Sequence, residues 1–195
     1  MKYPIEYPYT LLGEWLKQAE TSEINDPNAV YIATVDGNGQ PSVRTVLLKG
    51  LDNRGPVIYT NTRSRKGQDM ANSNKVALLF HWKSLEKQVR VEGKVEFVSN
   101  DEADIYFSSR SRESQIGAHA SLQSQPLAKR AELETRFAQI EAEFQGKEVT
   151  RPAHWTGYRV LAEKFEFWEA GNHRLHDREI LTRTEEGWTG QRLYP

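Results

Sequence analysis

The chain has 195 residues, 37% of them hydrophobic and 27% charged, with a formal net charge of −1 and a mean hydropathy of −0.72. These values describe one domain, residues 1–195, large enough to bury a core, and they exclude a general attraction to nucleic acid. No apolar run approaches the roughly 18 residues of a membrane span, no signal-peptide stretch opens the chain, and the lack of cysteine excludes disulfides, thiolate metal sites and a cysteine nucleophile, so a cytoplasmic location is expected.

Residues 9–19 set Leu11, Leu12, Trp15, Leu16 and Ala19 at three- and four-residue steps, which predicts an amphipathic helix entered almost at once. Asp26-Pro27 breaks the chain. Strands are predicted over 29–35, 41–49 and 57–60, separated by turns at 36–39 and 52–55 where Gly and Asn tolerate positive φ. Ser64 caps a short helix running to Asn72. A fourth strand covers 76–81 and a fifth 87–98, where Val89, Val91, Gly93, Val95 and Phe97 alternate with polar partners. Helices restart from Ser99 toward Ser109 and over 113–120. The longest helix is predicted over 127–145, with Leu133, Phe137, Ile140 and Phe144 on one face. A sixth strand over 158–168 and a final hairpin, 179–183 with 188–193, complete the chain. Short strands joined by hairpins, with helices between only some pairs, predict a mainly β fold: an antiparallel barrel or sandwich with flanking helices.

Several chemistries are missing. There is no Gly-x-Gly-x-x-Gly, no Gly-x-x-x-x-Gly-Lys-Ser/Thr and no Gly-x-Ser-x-Gly. Of His81, His119, His154, His173 and His176 only the last two are near neighbours, and no acidic helix motif frames them, so no metal site is expected.

What remains is a set of basic islands in a neutral protein, a pattern suited to small anions. In Arg44-Thr45-Val46-Leu47-Leu48-Lys49, Arg44, Val46 and Leu48 share one strand face and Thr45, Leu47 and Lys49 the other. Such a strand is either a half-exposed edge or a carrier of two cations that reach different parts of a phosphorylated ligand. Tyr59-Thr60 followed by Arg63-Ser64-Arg65-Lys66 places hydroxyls and cations where a strand enters a helix, and free N–H groups and the helix dipole favour an anion there. Gln88, Gln123 and Ser124 offer amides and a hydroxyl that can read the edge of a ring ligand; Trp168 is as readily core as a stacking partner. Tyr106, Arg110 and Ser114, spaced by four, share a face if the two short helices join. In His173-Arg174-Leu175-His176-Asp177-Arg178 an extended chain aligns Arg174, His176 and Arg178 on one side, a costly cluster unless anions complete it.

From residue 12 onward the chain resembles the pyridoxine/pyridoxamine 5′-phosphate oxidase family. The resemblance rests on residues 44–49, Tyr59-Thr60-Asn61, Ser64-Arg65-Lys66, Glu86-Lys87-Gln88-Val89, residues 114–118, Gln123-Ser124, and Phe167-Trp168 leading to Arg174-Leu175-His176-Asp177-Arg178 and the ending Arg192-Leu193-Tyr194-Pro195. It implies an antiparallel split β-barrel of the FMN-binding type, a homodimer with flavin mononucleotide at the interface, a phosphorylated B6 vitamer as substrate and O2 as acceptor. Carried over by position, Arg44, Thr45, Val46, Leu47, Leu48, Lys49, Tyr59, Thr60, Arg65, Lys66, Gln88, Gln123, Ser124, Trp168 and Arg178 contact the flavin. Lys49, Tyr106, Arg110 and Ser114 hold the substrate phosphate, and Arg174, Leu175 and His176 meet the substrate ring, with Arg174 and His176 catalytic. Asp26 matches an acidic position near the site. The family's N-terminal arm, which folds over the substrate, is short here, so either that lid is lacking or Tyr3 and its neighbours serve in part. Two alternatives stay open: another split-barrel flavin oxidoreductase, and a non-catalytic carrier of flavin or pyridoxal phosphate.

Overall fold

Alternating side chains build most of the molecule. A computed structural model describing residues 1–195 contains nine strands: β1 (Lys2–Tyr3), β2 (Ala29–Val35), β3 (Pro41–Asp52), β4 (Gly55–Asn61), β5 (Lys75–Trp82), β6 (Lys87–Phe97), β7 (Trp155–Glu169), β8 (Asp177–Thr184) and β9 (Gly187–Arg192). Five helices accompany them: α1 (Tyr7–Ser22), α2 (Arg65–Asn72), α3 (Asn100–Ser108), α4 (Arg112–Ala120) and α5 (Arg130–Glu143). Every strand pairing is antiparallel, and the order β7-β4-β3-β2-β5-β6 returns to β7, closing a six-stranded barrel. Closure removes the unpaired edges that an open sheet of this size would expose.

β7 makes that closure and also divides it. One edge pairs with β6 from Tyr158 to Glu169. The other pairs with β4 over residues 155–159 and then with β8 over 164–169. Where β4 leaves the edge, β8 takes it over, so the sheet splits into the barrel and a flap of β8, β9 and β1.

Even-numbered β2 residues and odd-numbered β6 residues point inward, so Val30, Ile32, Val89 and Val91 join Leu78, Phe80, Phe165 and Phe167 in a core cluster of 22 buried residues. α1 supplies its apolar face to the same core through Tyr9, Leu12, Trp15 and Ala19. Trp15 meets Phe167 edge-on at 5.3 Å and Tyr9 meets Phe165 edge-on at 5.4 Å. A smaller cluster, Phe107, Ile116, Val149 and Trp155, lies under α3, α4 and α5.

Two sequence expectations need correction. The longest helix is α1, with 16 residues, and α5 has 14. α5 begins only at Arg130, because Lys129 is extended and the exposed Leu127 has no packing to support another turn. α1 is not the first element: Lys2 and Tyr3 pair with Thr189 and Trp188 as β1, a two-residue strand too short to show periodicity. α3 and α4 are the two separate short helices expected, Ser99 and Ser111 each capping one by accepting from an N–H three residues on, so Tyr106, Arg110 and Ser114 do not share one continuous helix face.

Trp188 ties the flap to the rest of the molecule: it is 1% exposed, donates through Nε1 to the Ile5 carbonyl at 3.0 Å, and meets Phe165 edge-on at 5.3 Å. Trp188→Ala is expected to cost about 3–5 kcal/mol, measured as a lower denaturant midpoint at unchanged slope; a loss under 1 kcal/mol contradicts this account of the flap.

Candidate active site

Two regions collect the candidate residues, one toward each end of β7. The first is a cleft of about 470 Å³ lined by Thr45, Val46, Leu47, Lys49, Tyr59, Thr60, Asn61, Lys66, Tyr106, Arg110, Ser111, Ser114, Gln123 and Trp155. Its walls are the outer part of β3, the end of β4, and the start of α4. Lys49 reaches it at an irregularity: the β3–β4 register shifts between Leu48 and Gly50, a bulge that re-aims the intervening side chain. Tyr59 lies across β7 at Gly157, where a Cβ would come within 2.7 Å of the tyrosine ring, so glycine makes room for the phenol.

The cleft holds three cations and no carboxylate. The Lys66 ammonium donates to Gln123 Oε1 at 3.1 Å and Thr60 Oγ1 at 3.2 Å, both neutral. Burial, with the nearby Arg44 charge, lowers its pKa. Arg110 is also lowered by burial, and its buried Nη1 has no hydrogen-bond partner. At the start of α4, Ser111 and Ser114 add hydroxyls beside free helix N–H groups. Desolvated cations without counterions, hydroxyls and a helix N-terminus together suit phosphate.

The second region is a row across three strands. Gln88 on β6 is opposite Trp168 on β7, which is opposite Arg178 on β8. Together with Arg90, Glu166 and Pro195 they line a hollow of about 230 Å³. The buried Glu166 carboxylate holds two guanidiniums there, accepting from Arg178 Nε at 2.9 Å and from Arg90 Nη2 at 2.5 Å. Trp155 and Trp168 are thirteen residues apart on β7, roughly 40 Å of strand at about 3.3 Å per residue.

Residues 172–176 are not extended, which corrects the expected alignment of Arg174 with His176 and Arg178. Asn172–Arg174 form a single tight turn in which His173 and Arg174 take φ of 57° and 67°. A Cβ on Gly171 would lie 1.9 Å from the Leu175 carbonyl oxygen, so the turn requires glycine. The Gly171 N–H donates to His176 Nδ1 at 3.2 Å, and a neutral ring accepting there carries its proton on Nε2. His176 packs on Trp168 at 4.6 Å, whereas Arg174 and Leu175 are exposed. Of the five non-glycine residues with positive φ, Asp26, Ser124 and Arg174 fall on candidate positions; such conformations persist where surroundings over-determine them.

Other candidates stand apart from both regions. Leu48 is buried core. Arg44 turns inward, donating to Thr34 Oγ1 at 2.7 Å and Ser42 Oγ at 2.8 Å. Arg65 donates to Asp69 Oδ1 at 2.8 Å and Asp36 Oδ2 at 3.0 Å. Sequence reasoning passed over Asn61, Ser111 and Trp155 in the cleft, the carboxylate of Asp69, and that of Glu166 in the hollow. Asp69 was legible as the i+4 partner of Arg65; Trp155 was not, because only strand pairing brings it beside Asn61. A larger groove along α5 is lined by Arg112, which already donates to the Phe144 and Lys147 carbonyls.

A closed antiparallel barrel with an acid-free, cation-lined cleft outside its wall defines a split-barrel protein for phosphorylated ligands. Residues 16–144 match the family described as pyridoxamine 5′-phosphate oxidase, and residues 155–195 match the pyridoxine 5′-phosphate oxidase C-terminal dimerisation region. The chain belongs to the pyridoxamine 5′-phosphate oxidase family. A pyridoxine/pyridoxamine 5′-phosphate oxidase of Gluconobacter oxydans is 52% identical over 188 residues, covering 96% of this chain and 94% of its own. The Agrobacterium fabrum protein of the same name is 53% identical over 190 residues, covering 96% and 92%. The crystal structure of PhzG from Burkholderia lata, in complex with tetrahydrophenazine-1-carboxylic acid, superposes with a TM-score of 0.91 at 30% identity, over 96% of this chain and 92% of that one.

Burial alone would raise the Asp69 carboxyl, but hydrogen bonds from Thr34 and Arg65 and the charges of Arg65 and Arg44 outweigh it and hold the group below its ordinary range. A depressed folded-state pKa adds stability above the unfolded value of about 3.9 and loses it as pH falls through the folded value. The stability advantage of wild type over Asp69→Asn should therefore be constant near neutrality and shrink below about pH 4; an advantage that grows on acidification contradicts the assignment.

Proposed function

We infer that this protein, as one folded unit of residues 1–195 in a cytoplasmic homodimer, uses flavin mononucleotide to oxidise pyridoxamine or pyridoxine 5′-phosphate to pyridoxal 5′-phosphate, with O2 reduced to H2O2. The observation that carries this reading is the cleft in which Lys49, Lys66 and Arg110 meet no carboxylate, in a chain 52–53% identical to oxidases of that name. Bound flavin supplies the two-electron oxidation of the substrate carbon and the return of both electrons to O2. For the amine, one O2 and one water are consumed and ammonia and H2O2 released with the aldehyde; the alcohol needs no water.

The chain's own residues bind and orient. Lys49, Tyr106, Arg110 and Ser114 take the substrate phosphate; their support is convergence on one cleft from β3, α3, the α3–α4 linker and α4. Lys66, Thr60, Tyr59, Gln123, Ser124 and the 44–48 strand serve the flavin, with Arg65 at the start of α2. Gln88, Trp168 and Arg178 complete the flavin site from the other end of β7, a separation longer than a mononucleotide. The two halves therefore belong to one ligand only if they come from different subunits, in keeping with the dimerisation region matched by residues 155–195. Arg174 and Leu175 reach the substrate ring from the same segment, with Arg174 stabilising developing charge. His176 faces the ring as a hydrogen-bond donor, because its Nδ1 is already occupied by Gly171 N–H and its free Nε2 carries the proton. A second reading, another split-barrel flavoenzyme, draws on the likeness to PhzG with its unphosphorylated tricyclic ligand.

The test is a yellow flavin spectrum in the purified protein, followed by aldehyde and peroxide formation on adding pyridoxamine 5′-phosphate in air. Flavin without turnover would leave the carrier reading, and turnover of an unphosphorylated substrate in preference would favour the second one. Arg174→Ala should lower turnover by roughly a hundredfold with flavin content intact. Arg65→Ala should weaken flavin retention by roughly tenfold to a hundredfold, the worth of one charge-assisted hydrogen bond. The opposite pattern means that the flavin and substrate roles of these two arginines are exchanged.

A further inference from the structure

The protein fixes its arginines in two different ways. Arg159 is buried and donates to the Asp52 and Glu102 carboxylates, each at 2.8 Å, and Arg178 is held by Glu166. In each case an acid orients the guanidinium and neutralises it. Arg110 has no carboxylate beside it. Its guanidinium carbon instead stands 4.8 Å from the Trp155 ring centroid and 5.5 Å from that of Phe107. Trp155 is 7% exposed and is itself braced: its ring stacks on Tyr59 at 5.2 Å, and Tyr59 stacks on Tyr106 at 4.0 Å.

The distinction has a chemical consequence. A carboxylate holding Arg110 would occupy its N–H groups and repel an incoming phosphate. An aromatic face attracts a cation through its quadrupole and sets the plane of the guanidinium, yet consumes no N–H donor and leaves the charge uncompensated. Arg110 needs such a guide, because it lies in the short linker between α3 and α4, tied to the backbone by its own N–H to the Phe107 carbonyl at 3.2 Å. Its long side chain has many rotamers in the absence of a partner.

We propose that Trp155 is a positioning residue for the substrate phosphate: its indole face holds the Arg110 guanidinium at the cleft wall with donors and charge unspent. This rests on the reading of Arg110, with Lys49, Tyr106 and Ser114, as the phosphate cradle. Trp155 acts through Arg110 and contributes no bond of its own to the phosphate. Selectivity for a phosphorylated over an unphosphorylated substrate thus depends on a residue that carries no charge.

The experiment is a double-mutant cycle on the flavin-loaded dimer, reading KM and kcat for pyridoxamine 5′-phosphate together with flavin content. Trp155→Leu should raise KM roughly three- to tenfold, with kcat within about twofold of wild type and flavin retained; Trp155→Phe, which keeps an aromatic face, should recover most of the loss. In an Arg110→Ala background, Trp155→Leu should add no further rise in KM. An equal rise in that background, or a fall in kcat with KM unchanged, overturns the proposal. If Trp155→Leu does not fold, the same cycle with Trp155→Met decides: a rise of about threefold or more that vanishes with Arg110→Ala supports it, and no rise overturns it. Arg110→Ala with an unaltered KM removes the phosphate reading itself, and the role of Trp155 with it.

Discussion

β7 has to satisfy three neighbours with two edges. Fifteen residues give it the length to do so: β6 takes one edge, and β4 and β8 divide the other. The barrel closes only because β4 pairs at the start of the strand, and the flap exists only because β8 pairs at its end. The same division separates the chemistry. Trp155, at the β4 end, belongs to the cation-lined cleft, and Trp168, at the β8 end, belongs to the hollow with Gln88 and Arg178. A single chain thus presents two separate candidate regions at the ends of one strand, and both ends fall within the matched dimerisation region.

Charge is distributed on the same plan. Beside each region a buried carboxylate gathers cations, Asp69 with Arg65 and Arg44, and Glu166 with Arg90 and Arg178. A buried carboxylate is tolerable only when paired and hydrogen-bonded, and both are. Inside the cleft the rule is reversed. Lys66 is surrounded by a hydroxyl and an amide oxygen, and Arg110 by aromatic faces. A protein with net charge −1 therefore keeps a local positive site by spending its acids elsewhere. Such a cleft is unfavourable when empty and favourable once a phosphate enters, because the desolvation cost is already met by the fold.

The C-terminal segment shows local strain in the service of position. Gly171 lets the chain fold back on itself, two successive residues adopt left-handed backbone, and the Gly171 N–H fixes the orientation of His176 against Trp168. Leu175 is 71% exposed and Arg174 is exposed beside it.

Composition and periodicity by themselves determined the mainly β class, eight of the nine strands within a few residues, the Ser64 cap and the helix start at Ser99, because those features depend on steps of two or three residues. The motifs carried the family and, with it, the inventory of candidate residues. Tertiary structure alone decided which of them meet. Lys49 enters the cleft through a bulge, Arg44 turns inward to Thr34, and Tyr106, Arg110 and Ser114 converge although their helices do not join. Trp155 becomes part of the site only through its pairing with Asn61, ninety-four residues earlier. Register and long-range pairing are set by the packing of the whole barrel, and no local pattern in the chain records them.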